Sequence, residues 1–381
     1  MKKNIFLLLL TLIVGCKEEK RAQIPLGLKP EITTIKYAKG FSIEKGDSGI
    51  SIIKISSPWP NAETAFTYAL VPREKLASIT LNKDEYDAIV TVPVEKIVVT
   101  STTHIPALEA LGVEDKLLGF PSTDFISSIK TRKRIDAGLV KELGNNESIN
   151  TEVLIDINPD VVIGFGINNK NKAYEALKRS FIPVVYNGDW TEETPLGKAE
   201  WLKFFAPFFQ KEKEADSIFS SIESSYNEAR LLARDTEKKP DVLTGGLYKD
   251  VWYVAGGKSW MAQFLRDANT NYLWKETEDT GSISLSFESV LSKAQQAEFW
   301  LNPSLHVTYE EMTAANRHYK QFRAYQNRKV FTNASAKGAT GGLLFYELAS
   351  NRPDIVLRDL IHLFHPGLLP NHEPYFFKPL E

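Results

Sequence analysis

The chain has 381 residues, 43% hydrophobic and 25% charged, with a formal net charge of −2. So even a balance excludes a protein built to neutralise nucleic-acid phosphates. Once a short leader is set aside, about 365 residues remain, more than one ordinary core accommodates and enough for two lobes.

Lys2 and Lys3 precede an apolar stretch, Ile5 to Val14, broken only by Thr11. At ten residues it is half of the roughly 20 needed to span a bilayer, so residues 1–15 read as an export signal. The stretch runs into Ile13-Val14-Gly15-Cys16, which resembles the lipobox of bacterial lipoproteins, and Cys16 is the sole cysteine. An exported protein with one cysteine has no internal disulfide to make, so lipidation at Cys16 is the expected use. Residues 16–30 are polar and read as a tether. Lys17-Glu18-Glu19 resembles the lysine-plus-acids signal that sends some lipoproteins to the cell surface. A surface location is therefore an alternative to a periplasm-facing one.

Residues 31–90, centred on Tyr37–Val71 with Trp59 between two prolines, are expected to form a β-rich extension decorating the first lobe. A first strand-and-helix block over 91–209 follows. Its β-branched runs are Lys96–Thr100, Asp160–Phe165 and Pro183–Tyr186, and its helical patterns Ile105–Leu111, Thr151–Ile157 and Lys170–Arg179. Pro207 is expected to end or kink the helix before it. Lys211–Arg234 then has neither Gly nor Pro, and Ala215, Ile218, Phe219, Ile222, Tyr226, Ala229 and Ala233 fall on one helical stripe. Such a rod is roughly 36 Å long, enough to join two lobes as a connecting helix over 210–236. A second block over 237–381 repeats the theme. Strand-like runs lie at Val242–Tyr248, Trp252–Val254, Phe299–Leu301 and Lys329–Thr332, with helices at Ser259–Asp267, Phe287–Lys293 and Pro353–Phe364. The fold class is α/β: two lobes on a single long helix, with an N-terminal β extension.

Two helix starts match across the lobes. Asn150-Thr151-Glu152 and Ser286-Phe287-Glu288 each place an acid two residues after a capping residue. Helix-dipole complementarity alone accounts for such acids, at about 0.3–1 kcal/mol each. Their equivalent placement in two lobes suggests a further use.

Lys96-Ile-Val-Val-Thr-Ser-Thr-Thr-His-Ile-Pro-Ala-Leu-Glu-Ala-Leu-Gly112, Asn150-Thr-Glu-Val-Leu-Ile-Asp-Ile-Asn-Pro-Asp-Val-Val162 and Gly256-Gly-Lys-Ser-Trp-Met-Ala-Gln-Phe-Leu265 together resemble the iron-siderophore/vitamin B12 class of periplasmic binding proteins, over roughly Val94–Phe364. The resemblance implies two lobes with a cleft between them, little closure, and no catalysis. It implies a metal chelate as ligand, most commonly a ferric siderophore, with cobalamin or haem as alternatives. The implied partners are an ABC permease with its ATPase, and an upstream TonB-dependent outer-membrane receptor. By motif position, Glu152 and Glu288 are the implied permease-docking acids. The chain is expected to act as a monomer held to the membrane by its lipid.

Ligand is expected where loops at the strand ends face each other. The candidates are Thr103 and His104, Phe165 in Gly164-Phe165-Gly166, and Trp190 in Asn187-Gly188-Asp189-Trp190. From the second lobe come Tyr248, Trp252 and Tyr253, with Asn333 and Ser335 less central. Aromatic side chains in such loops suit an organic chelator. Enzyme signatures fail. After Gly164-x-Gly166 position 169 is Asn, and Gly257-Lys258-Ser259 lacks the earlier glycine of a phosphate loop. His362, His365 and His372 lie among apolar neighbours and read as packing; no resident metal or cofactor is expected.

Overall fold

A computed structural model describes residues 31–381 apart from 47, 48, 80 and 169. The export signal, Cys16 and the tether lie outside the described residues.

Three short runs rich in β-branched residues make the centre of the first lobe: Ile97–Val99, Val161–Gly164 and Val184–Tyr186 are buried on both faces. Continuous apolar runs of this kind suit parallel strands covered by helices on either side. The five-stranded sheet runs Val184–Tyr186, Val161–Gly164, Ile97–Val99, Leu117–Phe120, Lys141–Glu142, all parallel. The last two strands, and the helix Ile129–Asp136 between them, were not anticipated. The second lobe repeats the plan with Asn271–Tyr272, Asp241–Thr244, Phe299–Leu301 and Val330–Thr332 parallel, closed by antiparallel Lys378–Pro379. The expected strand Val242–Tyr248 is broken at Gly245, whose φ of +72° turns the chain so that Gly246–Tyr248 joins an antiparallel sheet with Val251–Ala255 and Ser282–Leu285. A side chain at Gly245 would collide with the Tyr253 carbonyl, so glycine is required there.

Residues 31–92 form a separate five-stranded sheet whose inner face shares the first lobe's core. Phe41, Ile53, Tyr68 and Val92 pack in one cluster with Ile97, Val161 and Phe204. Two buried carboxylates fix its entry segment. Glu200 accepts from the backbone N–H groups of Lys36, Tyr37 and Ala38, and Glu192 from those of Lys39 and Gly40. Each pairs charge with several oriented donors, the arrangement under which a carboxylate tolerates burial.

The connecting helix runs Glu212–Arg234 and buries Ala215, Phe219, Ile222, Tyr226, Ala229 and Ala233, as its stripe predicts. It packs against Leu202–Phe209 of the first lobe and Pro353–Phe364 of the second. Pro207 does not end its helix; it sits inside Leu202–Phe209, which stops at Gln210 in the left-handed conformation. No described helix is long and apolar enough to cross a membrane.

Replacing Glu200 by Ala leaves the N–H groups of Lys36–Ala38 without their acceptor. The expected loss is about 3 kcal/mol, at the level of a broken buried charge network. Denaturant unfolding would measure it, and a change below about 1 kcal/mol would show that the extension is held by its apolar face alone.

Candidate functional site

In both lobes the loops that leave the C-terminal ends of the parallel strands meet the other lobe, the edge at which open α/β sheets bind ligands. Ser127 Oγ donates to the Gly342 carbonyl (2.9 Å) and Thr340 Oγ1 to that of Asp124 (2.7 Å). Asn351 Nδ2 donates to the Thr103 carbonyl at 2.9 Å. Glu347, on the helix Leu344–Leu348, accepts from the backbone N–H of Ser127 and of Ser128, the latter at 2.9 Å, reaching the N-cap of Ile129–Asp136. Gly338 lies so close to Ser127 that a Cβ would be 2.6 Å from its Cα. These contacts bridge the lobes along one side of the cleft.

On the other side a cavity of about 310 Å³ opens between the lobes, lined by Trp190 and Lys198 from one and Ser259, Trp260 and Met261 from the other. The segments that follow the parallel strands carry water-exposed apolar side chains: Phe125, Ile167 and Trp190 in the first lobe, Leu305 in the second, and Tyr248 and Tyr253 on the antiparallel hairpin after Asp241–Thr244. Exposed aromatics gathered at the ligand edge of two facing sheets are a binding surface rather than chance exposure.

The expected pocket residues divide. Trp190 lines the cavity and is 39% exposed; Tyr248 is 66% exposed at the second lobe's rim. Phe165 is half-buried beside Gly166, and Thr103 is held at the lobe junction by Asn351. Tyr253 is exposed, Ser335 exposed and Asn333 buried.

Two expectations are corrected. Trp252 is fully buried, stacked on Trp300 at 5.2 Å with Nε1 donating to the Thr244 carbonyl (3.1 Å), so it is core and not pocket. His104 is also fully buried, its ring 5.4 Å from that of Phe205. Neither imidazole nitrogen has a hydrogen bond of normal geometry among the described residues, and desolvation, outweighing the nearby Asp189 carboxylate and Asn187 side chain, holds its pKa down to about 4. His104 is therefore neutral and cannot reach the cleft.

Glu152 and Glu288 are both exposed, at the starts of Thr151–Ile157 and Phe287–Ala294, and neither makes an ion pair among the described residues. The caps read from the sequence are in place: Asn150 accepts from Val153 N–H at 3.1 Å and Ser286 from Ser289 N–H at 3.2 Å. Lys198, Trp260 and Glu347 were not singled out in the sequence. In Pro195-Leu-Gly-Lys-Ala-Glu200 a lysine reads as a surface residue, and only the fold buries it.

Two α/β lobes on one helix, with an aromatic-rimmed cleft between facing strand ends, define a solute-binding protein. The periplasmic binding protein family model matches residues 97–336, more than half of the chain, and the chain belongs to that family. An uncharacterised lipoprotein of Methanocaldococcus jannaschii is 24% identical over 99% of this chain and 96% of its own length. That alignment extends well beyond residues 97–336, through the extension. Among solved structures, a possible iron-binding periplasmic solute-binding protein of Staphylococcus epidermidis superposes with a TM-score of 0.56 at 18% identity, covering 72% of this chain and 99% of that one. The periplasmic haem-binding protein HutB of Vibrio cholerae superposes with a TM-score of 0.54 at 19% identity, covering 69% and 99%.

Trp252→Ala is expected to cost about 3–5 kcal/mol, the range for a buried aromatic, whereas Trp190→Ala leaves the melting temperature near that of wild type. Equal melting shifts for the two would contradict this division. Glu347 gives a pH test. Burial, reinforced by the Glu109 carboxylate, lifts its carboxyl from 4.5 to about 7 against the pull of its two N–H donors. A raised carboxyl pKa penalises the ionised form, so the penalty is absent below about pH 4.5, grows through the window up to about 7, and is complete above it. The stability of wild type relative to E347Q should therefore fall between about pH 4.5 and pH 7, by up to roughly 3 kcal/mol, and stay level above that. Melting curves of the two proteins across that range measure it, and parallel profiles would refute it.

Proposed function

We propose that the protein is the solute-binding lipoprotein of an ABC importer, capturing a metal chelate in the interlobe cleft and presenting it to the permease. The observation that carries this reading is the ring of exposed aromatic and apolar side chains at the facing strand ends of the two lobes. A chelate presents an organic shell, which such a rim covers while a few polar groups orient it. The printed descriptions of the S. epidermidis and V. cholerae structures, iron-binding and haem-binding, support the chelate class. A ferric siderophore is the first choice of ligand, with haem or cobalamin the alternatives.

The cleft performs no bond chemistry. Its work is to desolvate the chelate's organic surface and hold it until Glu152 and Glu288, one free carboxylate per lobe, meet basic patches on a two-fold permease. The helix Glu212–Arg234 fixes the lobes' separation and so the spacing of the two acids. Cys16 carries the lipid that keeps the protein at the membrane facing the periplasm.

Thermal melting with ferric siderophores, haem and cobalamin tests the ligand class. A chelate at 100 times its Kd stabilises by about 2.7 kcal/mol, and no shift with any of them would reject the reading. In cells, the double variant Glu152→Lys, Glu288→Lys should abolish uptake while the purified protein binds its chelate as before. Undiminished uptake would remove the docking role. Cys16→Ser should release the protein to the soluble fraction or leave it unprocessed, and normal membrane partition would exclude lipidation there.

A further inference from the structure

The edge of the two sheets opposite the cleft carries charge and apolar surface that ligand binding does not use. The whole chain has a formal net charge of −2, yet from Met312 to Tyr346 it holds six Lys and Arg and no acid. Arg323, Arg328 and Lys329 of this run gather with Lys238 and Lys239 where the second lobe's parallel strands begin. Backbone bonds knit that edge together. Arg323 N–H donates to the Gln295 carbonyl (2.8 Å), Glu298 N–H to that of Asp241 (3.0 Å) and Trp300 N–H to that of Lys329 (3.0 Å). The connecting helix ends beside them, its Arg234 carbonyl accepting from Asn269 Nδ2 at 3.3 Å. Its last turns leave Leu231 and Leu232 exposed between Arg230 and Arg234.

The acids at this end do not cancel the cations. Asp235 is closed on Arg234 at 3.1 Å and Glu298 on Lys238 at 2.7 Å. Arg230, Lys239, Arg323, Arg328 and Lys329 make no ion pair among the described residues, against the exposed acids Glu228, Glu237 and Glu381. Arg317 and Lys320, also exposed and unpaired among the described residues, extend the excess. At the other end of the connecting helix the acids are answered, Glu212 by Lys45 (2.7 Å), Glu214 by Lys211 (2.9 Å) and Asp216 by Lys203 (3.2 Å). On the first lobe's half of the same edge Phe181, just before the strand Val184–Tyr186, is 94% exposed with a φ of +60°. An aromatic side chain left in water, on a backbone conformation that favours glycine, has no packing reason to be there. The tether leaves from this edge too: Glu31 pairs with Lys45, which reaches Glu212 at the start of the connecting helix. That helix is about 35 Å long, so laid along a surface it brings the tether's exit and the basic end down together.

We propose that this base rests on a lipid surface bearing anionic headgroups, with the free cations of the second lobe on the phosphates and Leu231, Leu232 and Phe181 at the headgroup boundary. Basic side chains flanking exposed apolar ones suit that boundary, where charge meets headgroups and apolar tips enter the acyl edge. The proposal rests on the lipoprotein reading, since a lipid on Cys16 keeps the base close to the membrane and makes a contact of modest strength sufficient. Glu152 and Glu288 stand at the starts of helices that run from the cleft edge down to this base. A protein resting on its base therefore holds its cleft and both acids away from the lipid. That posture collects ligand, and delivery requires the protein to lift and turn, which a salt-screened contact permits.

The test uses the mature chain, residues 16–381, purified with Cys16→Ser so that no acyl group contributes. It is sedimented with vesicles of phosphatidylcholine alone and of phosphatidylcholine mixed equally with phosphatidylglycerol. Binding to the mixed vesicles should be at least about tenfold tighter and should weaken as salt is raised. Lys239→Glu with Arg323→Glu should remove most of that preference. Lys83→Glu with Lys170→Glu, the same charge change at exposed sites off the base, should leave it within about twofold. Because the Cys16→Ser chain has no other cysteine, Leu232→Cys and Tyr248→Cys each take a single environment-sensitive dye. On mixed vesicles its emission should shift to the blue at 232 and not at 248. Equal affinity for the two vesicle types, equal loss in the two charge-reversed pairs, or a blue shift at 248 alone overturns the proposal. No binding to either vesicle overturns it as well and leaves an acidic protein surface as the partner. None of these results bears on lipidation, which the partition of Cys16→Ser in cells tests by itself.

Discussion

The long helix Glu212–Arg234 sets the terms for everything else, because it is the rod on which both lobes are packed. Its buried stripe is shared: Ala215 belongs to the first lobe's core, and Tyr226, Ala229 and Ala233 to the second's. Tyr226 also donates to the Asp267 carboxylate at 2.6 Å, tying the rod to the helix Trp260–Asp267 that carries a wall of the cavity. A lobe cannot swing widely without stripping apolar area from one end of the stripe, at roughly 25 cal/mol per Å². Relative motion is thus confined to small adjustments at the strand-end loops, and those loops are where the ligand edge lies.

The same rod governs how the extension joins the molecule. The backbone of Lys36–Ala38 is caught by Glu200, while Lys36 and Tyr37 also reach Glu223 on the connecting helix. Residues 31–92 are therefore fixed to the first lobe and to the rod together, away from the second lobe's sheet. Trp59 from this extension packs edge-on to Tyr186 at 5.3 Å, directly below the strand end that leads to Trp190. The extension buttresses one wall of the cleft and contributes Pro60 to the lining of the cavity, which gives it a role in positioning the site.

Periodicity made the architecture legible and left much of the site hidden. A stripe without Gly or Pro located the connecting helix to within a residue, and buried runs rich in β-branched residues located the central strands. Lys141–Glu142 escaped because an edge strand needs little apolar sequence when its neighbour supplies the ladder, and Leu117–Phe120, an internal strand, because its four residues are too short to show a period. At Trp252 the signal was present and misread. Trp252 and Val254 share one face of Val251–Ala255 and Tyr253 the other, and the strand's pattern buries the first pair and exposes Tyr253. Alternation alone assigns the tryptophan to the core and the tyrosine to the cleft. His104 and Lys198 are a different matter. Each is buried by elements distant in sequence, Phe205 for one and Trp260 for the other, and no local pattern records that.

Two buried charges of opposite sign therefore mark the two sides of the lobe junction, and their environments explain why both persist. Glu347 faces the N-terminus of Ile129–Asp136, where backbone donors partly answer it, while Glu109, Lys130, Arg132, Lys133, Lys337 and Tyr375 line the groove around it. Lys198 faces carbonyl oxygens and an aromatic ring. Neither closes an ion pair among the described residues, so each is more costly to bury than a paired charge. On the Glu347 side the cost falls away only as the carboxyl gains a proton, when pH drops below about 7. On the Lys198 side the cost is offset by two backbone carbonyls and by the nearby Asp189 and Glu192 carboxylates.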